Sequence, residues 1–146
     1  QYEIASFAVP GFESRHNQAY WKRTDVCAVG PAAWGFLGGV RFANCRSLER
    51  WAERIENGQS PVEFREKLSG AREASEAAAL ALRTSEGIRF EEFAARYGER
   101  WLDVITKRLR SLPEPDFLWD EGRVALSPRG MRVGNSIWAE LMDLER

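Results

Sequence analysis

The chain has 146 residues, 44% of them apolar and 29% charged, with a formal net charge of −1. That length suits one domain with a core of its own, and the balance excludes a disordered or collagen-like chain. No apolar run approaches the ~18 residues that a membrane helix needs, and near-neutrality argues against an electrostatic grip on nucleic acid or an anionic membrane.

Tyr2–Phe7 reads as a short strand ended by the turn dipeptide Pro10-Gly11. A strand so near the first residue marks the chain as a section of a longer protein. Ser14 can cap a short helix running to about Arg23. Val26–Val29 is a continuous apolar run before Gly30-Pro31, which suits a strand buried on both faces, as in parallel sheets. Gly35, Gly38 and Gly39 then punctuate a loop or loose hairpin up to Asn44. Ser47 is a good N-cap for a helix whose apolar positions are Leu48, Trp51, Ala52 and Ile55, and Gly58 stops it. Residues 59–68 read as a connector.

From Ser69 four helices are predicted. Ala71, Ala74, Ala77, Ala78 and Ala81 recur at helical spacing. Phe90, Phe93, Ala94 and Tyr97 make a second helix stopped by Gly98. Trp101, Leu102, Ile105, Leu109 and Leu112 make a third, stopped by Pro113. Phe117–Trp119, a turn at Asp120–Gly122, and Val124–Leu126 form a hairpin. Ser127-Pro128 opens the last helix, with Met131, Gly134, Trp138 and Leu141 on one face. Three helices and a β-ribbon are the layout of a winged helix. The fold class is α+β.

Cys27 and Cys45 lack CxxC spacing and suggest no disulfide framework. Two thiols are also too few for an iron–sulfur cluster, which takes about four ligands. Both cysteines read as small buried hydrophobes in a reducing, cytoplasmic setting.

Three places are candidate sites. The densest chemistry is Arg15-His16-Asn17-Gln18-Ala19-Tyr20-Trp21-Lys22-Arg23. On a helix His16 and Tyr20 share one face, and Asn17 and Trp21 the next. An imidazole can ligate a metal or move a proton, and the two aromatics can stack on a flat ligand. On residue types alone, a capped helix packing Tyr20 and Trp21 into a core is the commoner explanation. The second candidate is the turn around Gly30 and Ala32, where a strand ends in small residues that let a ligand approach the backbone. It carries neither a dinucleotide fingerprint nor a P-loop, and on the residues alone a plain tight turn is the favoured explanation. The third is the winged-helix-like tail. Its DNA-binding reading needs a basic domain, whereas residues 61–146 are net acidic. Glu91-Glu92 and Asp120-Glu121 read as solvated, and no hydrolase or zinc-protease motif is present.

The run Tyr2-Glu3-Ile4-Ala5-Ser6-Phe7-Ala8, then Gly11 to Asn17, then Tyr20-Trp21, resembles the oxygen-independent coproporphyrinogen III oxidase-like family, in particular its heme-chaperone branch. Ala5-Ser6 stands where the family has Ser-Asn, while His-Asn and Tyr-Trp are intact. Val29-Gly30-Pro31-Ala32-Ala33 sits at the family's Gly-x-Gly-Ala turn. Arg41 and Asn44 match an Arg…Asn pair, Leu82-Arg83-x-x-Glu86-Gly87 an "LR..(E)G" step, and Leu126-Ser127-x-x-Gly130 with Asn135 a C-terminal signature. One departure is that Ala33-Trp34-Gly35 replaces the family's Ala-His-Ser.

The resemblance implies a C-terminal section of a radical-SAM protein. Residues 1–58 would be the last strands of a partial α/β barrel, and 69–146 the helical winged-helix-like domain. The [4Fe–4S] cluster and S-adenosylmethionine belong to a CxxxCxxC motif upstream, which this chain lacks, so it holds neither by itself and runs no radical chemistry alone. The resemblance also implies heme or porphyrin as ligand. His16 would be a heme-iron ligand, with Asn17, Tyr20 and Trp21 against the porphyrin and Arg15 or Arg41 meeting propionates. The parent would pass heme to acceptor proteins. The alternatives are a true oxidase that decarboxylates propionates and, more distantly, a nucleic-acid-binding winged helix.

Overall fold

A computed structural model of the chain describes residues 1–142. The last four residues of the helical region predicted over 69–146 lie outside the described residues. In chain order the elements are α1 (Arg15–Trp21), β1 (Trp34–Leu37), β2 (Val40–Asn44), α2 (Leu48–Glu56), β3 (Val62–Lys67), α3 (Gly70–Ala81) and β4 (Ile88–Arg89). Then follow α4 (Phe90–Tyr97), α5 (Glu99–Arg110), a 3₁₀ turn at Glu114–Asp116, β5 (Phe117–Trp119), β6 (Arg123–Leu126), α6 (Pro128–Arg132) and α7 (Gly134–Met142). The mixture of helices and antiparallel strands is α+β. The chain divides into two compact units, Gln1–Lys22 with residues 69 onward, and Arg23–Leu68. The first unit takes in residues 1–22 with the helical part, and the second runs from 23 to 68, where the sequence suggests divisions at 58 and 69.

The first unit is built on α3. Its small face, Ala74, Ala77 and Ala78, is buried and packs on α5 and α7. Leu82, Ile88, Ile105, Leu109, Val124 and Leu141 fill the core beside it, each essentially inaccessible. The second sheet runs in the order β4-β6-β5, all antiparallel, with Ile88 opposite Val124 and Phe117 opposite Leu126. Helix, strand, two helices and a hairpin is the winged-helix order. The two-residue strand β4 is its least visible piece in the sequence. Ser127 Oγ accepts from the Gly130 amide at 3.1 Å, capping α6 as expected of Ser-Pro. The predicted last helix is two helices. At Val133 the amide bonds three residues back, to Gly130, and φ of −109° departs from helical geometry.

Tyr2–Phe7 is not a strand. Its hydrogen bonds close a local turn, with the Tyr2 amide donating to Ser6 O, and its remaining partners lie in the loop after α3. The Ile4 amide donates to Arg83 O, the Ser85 amide to Tyr2 O, and Glu3 bridges Thr84. These bonds are why the first residues belong with the helical unit.

The unit Arg23–Leu68 is an antiparallel sheet in the order β1-β2-β3, with α2 between β2 and β3. The β1–β2 hairpin has the two-residue loop Gly38-Gly39, with φ of 57° and 80°. Two consecutive positive φ values are what a turn matched to strand twist requires. Residues 62–67, read as a connector, are β3. Their period-two alternation of Val62, Phe64 and Glu66 pairs along β2. Val26–Val29 is likewise not a buried strand. Only Val26 is bridged, to Phe36, while Cys27 and Val29 are exposed. Left-handed backbone at Gly30 and Ala32 turns the chain away before a strand can extend. Cys45 is fully buried, as expected. No strand pair is parallel among the described residues. No helix of the described residues is long and apolar enough to cross a membrane.

Candidate functional site

Helix α1 begins as the sequence predicts. Ser14 sits in extended backbone and its Oγ accepts from the Asn17 amide at 3.2 Å, satisfying one of the orphan donors of the first turn. The Ser14 amide donates in turn to the Tyr2 hydroxyl. One helical turn brings His16 and Tyr20 into edge-to-face contact, with centroids 4.9 Å apart and planes at 87°. The positive edge of one ring meets the negative face of the other. His16 is exposed and Tyr20 half-buried, so the imidazole is both oriented and open to solvent.

Trp21 faces elsewhere. The guanidinium of Arg83 lies 4.6 Å from its ring centroid and 4.3 Å from that of Trp138, so the cation is held between two indoles. One face of Trp21, expected to meet a porphyrin, is therefore taken by Arg83. The next residue is anchored as well. Lys22 Nζ is 2.9 Å from Glu86, and the Lys22 carbonyl accepts from Arg96 Nη1 at 3.2 Å. Hydrogen bonds from Lys22 and then Arg89 hold the Glu86 carboxyl below its ordinary value.

Asn17 is half-buried and Arg15 exposed on the same helix. The structure thus brings together His16, Tyr20, Asn17 and Arg15 on α1, with Trp21 turned to Arg83. Arg41, Gly30 and Ala32 belong to the other unit. Arg41 is opposite Glu66 in the β2–β3 register, and its Nε donates to that carboxylate at 2.7 Å. A cation already committed to an acid is a poorer partner for a propionate than an exposed one such as Arg15.

The turn at Gly30 and Ala32 is braced from β2. Asn44 is buried, and its Nδ2 donates to Gly30 O at 2.8 Å. The Ala32 amide donates to Cys45 O and the Asn44 amide to Ala33 O. Left-handed backbone at Ala32, φ 57°, is strained for a residue with a Cβ and persists because these bonds fix it. Replacing the buried Asn44 by alanine strips the brace from the half-buried Gly30 carbonyl. The expected loss is about 1–3 kcal/mol, read from the urea unfolding midpoint.

In the winged-helix-like part, the last turn of α5 carries Lys107, Arg108 and Arg110. Arg108 is ion-paired with Glu140 and Arg110 lies over the Trp119 ring. Residues that sequence reasoning left without a role are Arg83, Glu86 and Trp138. The first two lie in the Leu82-Arg83-x-x-Glu86-Gly87 step, and nothing in its spacing says what it touches.

No group of three or more His, Cys, Asp or Glu side chains is assembled among the described residues. The donor set at α1 is instead one exposed imidazole with an aromatic ring beside it. It fits heme, whose iron needs one axial nitrogen because the porphyrin supplies the rest.

Residues 68–133 match the family model described as HemN C-terminal domain. The chain is 28% identical over 143 residues to the heme chaperone HemW of Bacillus subtilis, covering 97% of this chain and 38% of that protein. It is 30% identical to a bovine mitochondrial radical S-adenosyl methionine domain-containing protein 1, covering 90% of this chain and 31% of that one. It therefore spans about a third of the length of these relatives. Among solved structures it is similar to the radical-SAM enzyme coproporphyrinogen III oxidase (HemN) of Escherichia coli. That match has a TM-score of 0.69 at 13% identity and covers 97% of this chain and 37% of that one. Residues 68–133 are thus a HemN C-terminal domain, in a chain that is similar over 97% of its length to the heme chaperone HemW.

Proposed function

We propose that this chain binds heme at α1, with His16 as the iron ligand, in a protein that hands heme to acceptor proteins. The observation that carries this is the His16–Tyr20 pair, an exposed imidazole steered by an aromatic edge at the first turn of a capped helix. Relatives that match 97% of the chain are heme chaperones by name. Tyr20 offers a ring edge beside the porphyrin, and Asn17 an amide on the adjacent face. Arg15, exposed on the same turn, is the cation best placed to meet a propionate carboxylate. The [4Fe–4S] cluster and S-adenosylmethionine belong, in this reading, to a part of the parent outside this chain.

A ring nitrogen of His16 would donate its lone pair to the iron. Heme when bound supplies the cargo, and this chain's residues hold and orient it. Titrating hemin into the chain is expected to shift the Soret band to a ligated position. His16→Ala is expected to lose that shift and at least tenfold in affinity, about 1.4 kcal/mol. An unchanged spectrum and affinity in the variant would remove His16 as ligand. Robust coproporphyrinogen decarboxylation by the full-length parent would overturn the chaperone reading.

A further inference from the structure

Helix α1 has seven residues and none of them is buried. A helix this short does not persist by its own hydrogen bonds, and without a buried side chain the hydrophobic core does not hold it either. Its first turn is held by the Ser14 cap, and its C-terminal end by charged partners from the loop after α3. Arg83 is stacked between Trp21 and Trp138, and Glu86 is paired with Lys22. Arg83 Nε is enclosed without a hydrogen-bond partner among the described residues, so the two indole faces take the place of an acceptor. A planar guanidinium can present both its faces to aromatic rings, which a lysine ammonium cannot.

We propose that Arg83 and Glu86 are positioning residues for His16. They fix the last turn of α1 and so set the direction in which the imidazole, more than a turn away, leaves the helix. The Leu82-Arg83-x-x-Glu86-Gly87 step is thereby the receptor for the His-Asn-x-x-Tyr-Trp helix, joining two motifs far apart in the sequence. This inference rests on the heme reading of His16.

The test compares Arg83→Gln, Glu86→Gln and His16→Ala in hemin titrations of the chain, each with a thermal melt. Arg83→Gln is expected to weaken hemin binding about tenfold and move the Soret band toward that of free hemin, while the chain still melts cooperatively. Glu86→Gln is expected to weaken it about threefold. If Arg83→Gln proves unfolded, Trp138→Phe keeps an aromatic ring in the packing and narrows the ring surface under Arg83. It is then expected to lower affinity severalfold. Lost binding in His16→Ala with native spectrum and affinity in the folded Arg83 or Trp138 variant would overturn the positioning role alone. A lowered melting temperature with unchanged hemin binding would make Arg83 merely structural, and overturns it too. Native binding in His16→Ala would instead overturn the ligand assignment, and with it any role in aiming that ligand.

Discussion

Gly87→Ala is expected to unfold the helical unit or shift its urea midpoint by more than 1 M. A Cβ at this position would stand 2.1 Å from Val124 O and 2.7 Å from the Ala125 Cα, both backbone atoms. The φ of +73° adds strain for any L side chain. The close approach is imposed by the fold. Ile88, the next residue, pairs with Val124, and the Gly87 amide donates to Thr84 Oγ1. Left-handed strain of about 1–2 kcal/mol and a forced backbone shift of about 1–3 kcal/mol together consume much of a typical 5–15 kcal/mol stability. Gly122→Ala is the matched control. Its nearest contact is a side-chain oxygen 3.9 Å away, and its midpoint should stay close to that of the parent chain.

Ile105→Ala should cost about 2–5 kcal/mol, and Ile105→Val about 0.5–1.5 kcal/mol. Ile105 is wholly inaccessible at the centre of the cluster formed with Leu82, Leu109, Val124 and Leu141. Truncation there leaves a void that helices from several directions cannot all close. Leu118→Ala, at a side chain 53% exposed, should change stability by less than about 0.5 kcal/mol. Chemical denaturation of the three variants gives the ranking, and a small Ile105→Ala effect would mean that the core collapses onto the gap.

The elements readable from the sequence were those with chemical punctuation. Ser14, Ser47 and Ser127-Pro128 cap the helices they announced, and Gly98 separates α4 from α5 where the apolar spacing breaks. The Asp120–Gly122 turn joins its hairpin as read, with the Gly122 amide on Asp120 Oδ1. Strands set by long-range pairing were not readable. Val62–Lys67 is rich in charge, and its strand character comes from lying along β2. Tyr2–Phe7 has strand composition but finds its partners in the 83–85 loop. The α2 face of Leu48 and Ile55 has helical spacing, yet both are exposed, because spacing shows which residues align and not what covers them. At the site, the His16–Tyr20 contact follows from i, i+4 spacing. The Trp21–Arg83–Trp138 stack joins residues from three distant segments, and no local pattern contains it.

Helix α1 sits in one unit with a receptor that the chain reaches only after residues 23–68. Ser85 Oγ donates to Tyr2 O across 83 positions, and Arg96 to Lys22 O across 74. Closing a loop of that size costs about 4 kcal/mol of chain entropy before any contact returns it. During synthesis Trp21 leaves the ribosome on the order of ten seconds before Trp138. The Trp21–Arg83–Trp138 contact is therefore among the last that the chain can close during synthesis, because its third member is made long after its first.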